Sequence, residues 1–342
     1  MSDLPVVDCS LHPLIERLDD LLPHMGEAMA LRVTQSEFRL PPASPHPGVE
    51  VEATREVRGT DPASVAAALP ATVERAILIP AQAMPTPGWL DHELSAAFVS
   101  AVNGYLVDRW LPADPRFRLA IALSPHQSHL AVAEIERYDG VEGIAAAAMP
   151  PTGVAMGHEH YHPIYAALAA KGLPLIVHPG GSEGEVLGTA NIGGTGPRTP
   201  EEAFTLLPQV AQANVASLVF NGVFDLFPDL TVVLAGWGFE WAPTMLWRID
   251  AEWRGLRVAV PWLTRAPSEV IVDHVRFVVD GASSALRKGA WEHAALLPEH
   301  VLLYGSDAPF NPLGAEAWLE AAPEALRPKV AHANAAAVFR RP

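Results

Sequence analysis

Residues 141–178, VEGIAAAAMPPTGVAMGHEHYHPIYAALAAKGLPLIVH, contain two apolar runs with a helical stretch between them. The runs 141–148 and 173–178 are short and almost entirely apolar, whereas 164–171 (IYAALAAK) covers about two helical turns. Short apolar strands joined by a helix are typical of a parallel sheet that is buried on both faces. The stretch therefore predicts one strand–helix–strand unit.

The same alternation continues along most of the chain. Further strands are predicted at 5–9, 73–80, 117–123, 230–235, 275–279 and 301–304. Further helices are predicted at 92–110, 126–138, 200–226, 238–254, 282–293 and in a last segment that ends near Arg340. About eight apolar strands that alternate with helices predict a closed (β/α)8 TIM barrel, with a doubly wound open sheet as the alternative.

Two segments interrupt this rhythm. Residues 10–72 follow the first strand and contain a run with helical spacing and an alternating run at 49–57 (VEVEATREV), which predicts a hairpin strand. We interpret 10–72 as an insertion within one domain of residues 1–342. A glycine-rich loop, 180–196, follows the strand 173–178 and is predicted to lie over the active site.

Composition excludes several classes of function. The chain has 39 acidic and 23 basic residues and a net charge of -16, which would repel nucleic acid and anionic membranes. The single cysteine, Cys9, and the lack of a signal-like or membrane-length apolar segment predict a cytoplasmic protein. We find no GxGxxG or Walker motif, and the lack of a Gly-x-Ser-x-Gly motif disfavours a serine hydrolase.

Polar side chains stand where three of the predicted strands end. Asp8, Ser10 and His12 alternate at the end of the first strand, His178 ends the fifth, and Asp307 follows the last. Barrel enzymes carry their catalytic groups at these ends. His12, His178 and Asp307 could hold a divalent ion such as Zn²⁺ or Mn²⁺, or act as a metal-free acid/base cluster. Each residue alone is equally compatible with an ordinary loop residue.

Segments along the whole chain resemble one known family. They are VVDCSLHP (6–13), GLPLIVHPGG (172–181), the long segment 218–250 and VLLYGSDAPF (301–310). In this order they resemble the amidohydrolase superfamily, in the branch that includes aminocarboxymuconate-semialdehyde decarboxylase. The resemblance implies a TIM barrel, a divalent metal, a hydrolase or decarboxylase activity on small organic acids or cyclic compounds, and a homodimer.

Only some of the family's metal-ligand positions carry a ligand residue in this chain. His12, His178 and Asp307 match the family pattern. Ser10 stands where members usually carry His, Glu or Asp, and Gly236 stands where they usually carry His or Glu. A site with fewer ligands binds its metal more weakly. We therefore expect a reduced His/His/Asp site.

Two other side chains are candidates to complete this site. His158 belongs to a His-x-His-x-His run and is either a replacement ligand or part of an exposed loop. Glu240 is either a relocated carboxylate near Gly236 or a solvent-facing residue of the helix that carries Trp241, Trp247 and Trp253. Those tryptophans favour core or subunit-interface packing. Cys9 faces away from His12 along the strand, which disfavours a cysteine nucleophile.

Three functions remain open from the sequence. The first is a metal-dependent hydrolase or decarboxylase that uses His12, His178 and Asp307. The second is a metal-independent lyase, cyclase or isomerase in which the same residues transfer protons. The third is a non-catalytic ligand-binding protein on an inherited barrel, because a fold does not fix a function.

Overall fold

The computed structural model describes residues 4–41, 59–180, 199–280, 289–310 and 322–340. Eight parallel strands follow one another in sequence order around a single sheet, and the first also contacts the last. They are β1 (Val6–Leu11), β2 (Val73–Leu78), β3 (Phe117–Ala122), β4 (Ile144–Met149), β5 (Leu175–Val177), β6 (Val232–Leu234), β7 (Val275–Asp280) and β8 (Leu302–Gly305). The TIM barrel prediction is therefore confirmed, and the open doubly wound sheet is wrong because its strand order would not be sequential.

Helices surround this barrel and connect its strands. They are α1 (Glu27–Gln35), α2 (Pro62–Ala68), α3 (His92–Arg109), α4 (Ser128–Arg137), α5 (His162–Lys171), α6 (Pro200–Phe220), α7 (Val223–Leu226), α8 (Ala242–Leu256), α9 (Pro267–His274), α10 (Ala290–Ala294) and α11 (Asn334–Val338). The hairpin strand predicted at 49–57 and most of the helix predicted at 282–293 lie outside the described residues.

Positive backbone φ angles explain two differences from the predicted helices. The predicted helix 200–226 is divided into α6 and α7 because Gly222 has φ +72°, which an α-helix cannot contain. The helix predicted from residue 238 begins only at Ala242, since Gly236 and Gly238 have φ +81° and +67°. Glycine reaches this region without the steric cost that other residues carry.

Length and apolar composition alone would allow residues 201–220 of α6 to cross a membrane. In the structure this helix contacts α8 and α9 on the outside of the barrel. Its buried positions include Val210, Ala211, Leu218 and Val219, which all belong to the hydrophobic core. The apolar character of α6 is therefore used in packing against the barrel.

The segment after β1 is tied to the upper rim of the barrel by Gln82. The Gln82 side chain accepts a hydrogen bond from Ile15 N at 2.6 Å and donates to Ile15 O at 3.2 Å and Pro41 O at 2.9 Å. Gln82 is buried in the loop that follows β2. The part of 10–72 that the structure describes thus packs beside the carboxyl ends of the strands.

The barrel closes where β1 meets β8 and the residues after it. Asp307 N donates to Ser10 O at 2.8 Å, and His12 N donates to Ala308 O at 2.7 Å. The buried Asp8 carboxylate accepts from Ser10 N at 3.1 Å and from Ser306 N at 2.9 Å. These bonds satisfy main-chain groups that have no water to bind. Asp8 is therefore a structural residue of this seam.

Replacing Asp8 tests the seam, by which we mean the hydrogen bonds that join β1 to the residues after β8. Asp8→Ala should lower the free energy of unfolding by about 3 kcal/mol, because two buried N–H groups lose their acceptor. Asp8→Asn keeps an oxygen acceptor and should cost less than about 1 kcal/mol. Urea unfolding of both variants measures the difference. Equal losses of unfolding free energy in Asp8→Ala and Asp8→Asn would contradict the role of the side-chain oxygen at position 8 as a hydrogen-bond acceptor.

Candidate active site

His12 lies fully buried just beyond β1, with its two ring nitrogens in different roles. Nδ1 donates to the carbonyl of Ile79 at 3.2 Å, which leaves the lone pair on Nε2. Nε2 lies 3.1 Å from Ser10 Oγ and 3.1 Å from Asp307 Oδ1. Burial lowers the pKa of His12 to about 4, so this imidazole is neutral at pH 7.

His178 follows β5 and repeats the same arrangement. Its Nδ1 donates to the carbonyl of Pro179 at 2.8 Å, which again leaves Nε2 with a lone pair. The rings of His12 and His178 are 4.9 Å apart at 61°, in an edge-to-face contact. Burial, assisted by repulsion from His12, lowers the pKa of His178 to about 3. Both imidazoles therefore offer neutral nitrogen donors.

Asp307 supplies the acidic group of the cluster. Its backbone has φ +56°, an uncommon conformation for a residue with a side chain, directly after the seam bond to Ser10. Burial and the nearby charge of Asp8 raise the pKa of Asp307 to about 7. The carboxyl group thus exchanges a proton near neutral pH.

Ser10, His12 and Asp307 do not form a nucleophilic triad. In a triad, the serine and the carboxylate contact opposite nitrogens of the histidine. Here Ser10 Oγ and Asp307 Oδ1 both face Nε2, while Nδ1 is bound to the main chain. Ser10 therefore lacks the relay that would make its hydroxyl a nucleophile.

Two of the three predicted metal ligands, His12 and Asp307, have the spacing of two donors on one divalent ion. Within the described ranges, no three His, Cys, Asp or Glu side chains are already spaced to hold a metal. The 3.1 Å between His12 Nε2 and Asp307 Oδ1 is nevertheless the separation of two ligands that each bond one ion at about 2.1 Å. Both imidazoles are fixed through Nδ1 by carbonyls, as metal-binding histidines usually are. His12 and Asp307 thus have a spacing suited to such an ion, and the ring of His178 lies 4.9 Å from that of His12.

Gly236 shows why β6 adds no side chain to this set. A Cβ atom at Gly236 would lie 3.0 Å from Pro179 Cδ and 3.3 Å from His178 Nε2. The position therefore faces the cluster, but His178 and Pro179 fill the space beside it. The adjacent Trp237 is buried and donates from its indole to the carbonyl of Val177 at 2.9 Å, which fixes the end of β5.

The structure places His158 outside the cluster. Its exposed ring accepts from His160 N at 3.1 Å and caps a short 3-10 turn after β4. His160 in turn contacts the carbonyl of Pro125. In the described part of the chain, no hydrogen bond or ring contact joins His158 to His12 or His178. Local hydrogen bonding of the loop accounts for this position.

Glu240 likewise makes its hydrogen bonds within its own turn and with α10, and none with the two histidines in the described part of the chain. Its exposed carboxylate accepts from Phe239 N at 2.9 Å and folds back over Gly238. This bond holds the turn that leads into α8. The position beside Gly236 is therefore not filled by a relocated Glu240 carboxylate in this structure. The rest of the loop predicted at 180–196 lies outside the described residues after Gly180.

Phe310 is a site residue that sequence reasoning missed. Its ring lies 5.2 Å from that of His12, tilted by 42°. The signal was its place three residues after Asp307, on the same segment beyond β8. Phe310 gives the cluster an apolar, aromatic neighbour, which suits a flat substrate ring.

The parallel barrel carries two histidines and an aspartate at the carboxyl ends of its strands, where barrel enzymes place their catalytic groups. The amidohydrolase family model matches residues 7–341, so the chain belongs to this family. No curated protein sequence matches the chain significantly.

Solved structures with the same fold include three informative relatives. A 5-carboxyvanillate decarboxylase from Sphingomonas paucimobilis is 19% identical over 99% of this chain and 100% of its own, with TM-score 0.70. A 5-carboxyvanillate decarboxylase from Novosphingobium aromaticivorans, complexed with manganese and a nitrobenzoic acid, is 17% identical over 99% of both chains, with TM-score 0.72. An amidohydrolase from Mycobacterium avium subsp. paratuberculosis is 18% identical over 98% and 99%, with TM-score 0.72. At this identity they establish the shared fold.

A substitution at Gly236 tests the close approach to His178. Gly236→Ala should lower stability by more than about 1 kcal/mol, because it combines a positive φ with contacts to Pro179 and His178. Gly140→Ala is the matched control, since Gly140 has φ +76° and open space around it. Only Gly236→Ala should also weaken Mn²⁺ or Zn²⁺ binding in calorimetry. Equal effects of Gly236→Ala and Gly140→Ala on metal binding would contradict the close approach of position 236 to His178.

The reactivity of Cys9 tests the expectation that this cysteine is not a nucleophile. The thiol is fully buried, and burial raises its pKa well above the ordinary value. The native protein should therefore react with an alkylating reagent at pH 8 far more slowly than the urea-unfolded chain. Mass spectrometry of the labelled chain measures this. Rapid native labelling would show an accessible thiolate.

Proposed function

We propose that this protein is a metal-dependent decarboxylase of a small aromatic or cyclic carboxylic acid. The observation that carries the proposal is the approach of His12 Nε2 to within 3.1 Å of Asp307 Oδ1, beside a second histidine whose Nδ1 is also bound to a carbonyl. The decarboxylases of similar fold, one of them complexed with manganese and an aromatic acid, support this choice over hydrolysis.

The charge balance of the pocket supports the need for a cation. His12 and His178 are neutral at pH 7, and burial disfavours the charged carboxylates of Asp8 and Asp307 and raises the pKa of both. No lysine or arginine of the described residues makes a hydrogen bond or ion pair with His12, His178 or Asp8. A divalent ion held by His12, His178 and Asp307 would supply the positive charge that attracts the acidic oxygens of a substrate.

Decarboxylation replaces a carbon–carboxylate bond by a carbon–hydrogen bond, so the enzyme must deliver one proton to that carbon. In the absence of a cation Asp307 has a pKa of about 7, which a bound ion would lower, so Asp307 would relay a proton from solvent to that carbon rather than store one. The Oδ1 atom of Asp307 lies 3.1 Å from His12 Nε2. Phe310 would align an aromatic ring beside these groups.

A metal-independent acid/base reaction is the second candidate. It is favoured by the Ser10 hydroxyl, which lies on His12 Nε2, the atom that a metal would need. In this alternative Ser10, His12 and Asp307 share protons directly. The chelation experiment below separates the two candidates.

The direct test is carbon dioxide release from a panel of hydroxybenzoic and related cyclic acids. Activity should require Mn²⁺ or Zn²⁺ and disappear after exhaustive chelation. Asp307→Asn should lower kcat at least about 100-fold because it removes both a ligand carboxylate and the group that relays the proton. Glu240→Gln is the control, since this exposed carboxylate lies outside the cluster.

Two outcomes would count against the proposal. Turnover that persists after complete chelation would favour the metal-independent reaction. Ester or amide cleavage without carbon dioxide release would identify a hydrolase. In each case the thermal unfolding of Asp307→Asn must match that of the native protein, so that a loss of activity is not a loss of fold.

A further inference from the structure

We propose that Trp237 is a positioning residue for His178, so that the end of β6 contributes an indole hydrogen bond to the site in place of a metal ligand. The indole Nε1 of Trp237 donates to the carbonyl of Val177 at 2.9 Å, and His178 is the next residue along the chain. Trp237 is only 1% exposed, so water does not compete for this bond. The effect of Trp237 on metal binding rests on the proposed function, whereas its effect on the His178 ring does not.

The peptide group between Val177 and His178 is held from both neighbouring strands. Its N–H donates to the carbonyl of Met149, the last residue of β4, at 3.3 Å. Its carbonyl accepts from Ala235 N at 3.1 Å and also from the indole of Trp237. A carbonyl oxygen has two lone pairs, and both have a donor here. The backbone from which the His178 side chain projects is therefore fixed on the β4 side and on the β6 side.

The orientation of the His178 ring depends on this backbone. Its Nδ1 donates to the carbonyl of the next residue, Pro179, at 2.8 Å, so the two peptide groups around residue 178 set the direction of the ring. The opposite nitrogen, Nε2, lies 3.3 Å from the place that a Cβ atom at Gly236 would take. A rotation of the peptide group before His178 would therefore move Nε2 relative to the ring of His12, which lies 4.9 Å away.

Glycines on both sides of Trp237 let the chain turn back toward β5. Gly236 has φ +81° and Gly238 has φ +67°, a region that residues with a side chain rarely adopt. β6 ends at Leu234, and this turn returns the indole to the same carbonyl that accepts from Ala235 N. The glycine that supplies no ligand at position 236 is thus part of the turn that delivers the indole donor.

A second tryptophan supports Trp237 from the other side. The indole Nε1 of Trp241 donates to the carbonyl of Trp237 at 3.1 Å. The Trp241 ring lies 5.5 Å from that of Phe277 on β7, in an edge-to-face contact at 74°. All three rings are buried. Trp237 and Trp241 therefore connect β7 to the end of β5, directly before His178.

Histidine NMR of the metal-free protein tests the effect on His178 directly. Side-chain nitrogen shifts report which ring nitrogen carries the proton, and His178→Ala identifies the signal among 14 histidines. Trp237→Phe keeps an aromatic ring but lacks the N–H donor, so it should shift or broaden the His178 Nδ1–H signal. Trp110→Phe should leave this signal unchanged. Trp110 is also fully buried, but its ring contacts Phe117 at the amino end of β3, the opposite end of the barrel.

Metal titration provides the functional readout. The affinity for Mn²⁺, measured by calorimetry, should fall at least about tenfold in Trp237→Phe, as is usual when a group that orients a metal-binding histidine is removed. Trp262→Phe is the control for the loss of an indole bond, since Trp262 Nε1 donates to the carbonyl of Phe220 at 3.0 Å on the outside of the barrel. Its affinity should equal that of the native protein. If the native protein binds no metal, the proposed function fails, and the NMR comparison alone decides the role of Trp237.

A replacement of nearly the same shape separates the hydrogen bond from packing. 3-Benzothienylalanine in place of Trp237 keeps the bicyclic ring and lacks the N–H donor. It should change the His178 signal as Trp237→Phe does, while the circular dichroism spectrum stays native. A native His178 signal in this protein would overturn the proposal. So would a change in Trp110→Phe as large as that in Trp237→Phe.

Discussion

The hydrogen bonds between β1 and the end of β8 are the constraint on which the site depends. They close the barrel through Asp307 N to Ser10 O and His12 N to Ala308 O. The buried Asp8 carboxylate completes the seam by accepting from the main chain of Ser10 and Ser306. Because the same residues carry the imidazole of His12 and the carboxyl of Asp307, closing the barrel also brings these two groups within 3.1 Å.

The chemistry of the site follows from burial at this seam. Burial keeps both histidines neutral and raises the pKa of Asp307 toward neutrality, while backbone carbonyls fix Nδ1 of each imidazole. The result is a pair of neutral imidazoles in ring contact, one of which lies 3.1 Å from the carboxyl group of Asp307. His178 and Pro179 occupy the space beside Gly236, and Gly236 contributes no side chain to the site. In the function we propose, such a site would bind a cation with few protein ligands and keep positions for a substrate.

The sequence predicts the barrel well because each strand is a short apolar run and each helix follows it closely. It also predicts the meeting of His12, His178 and Asp307, since all three stand at strand ends. Sequence alone could not show that His158 caps its own loop or that Glu240 folds onto Phe239 N, because both are decided by local turns. Phe310 was missed because an aromatic residue after a strand has no chemical signature until its neighbour is known.

The central claim is that three ligands suffice for a metal in this barrel. Elemental analysis of tag-free protein tests it most directly, with His178→Ala compared with His158→Ala. The account predicts about one equivalent of manganese or zinc per chain in the native protein and in His158→Ala, and its loss in His178→Ala. Metal-free native protein after growth and dialysis with both ions, or full retention of metal by His178→Ala, would contradict it.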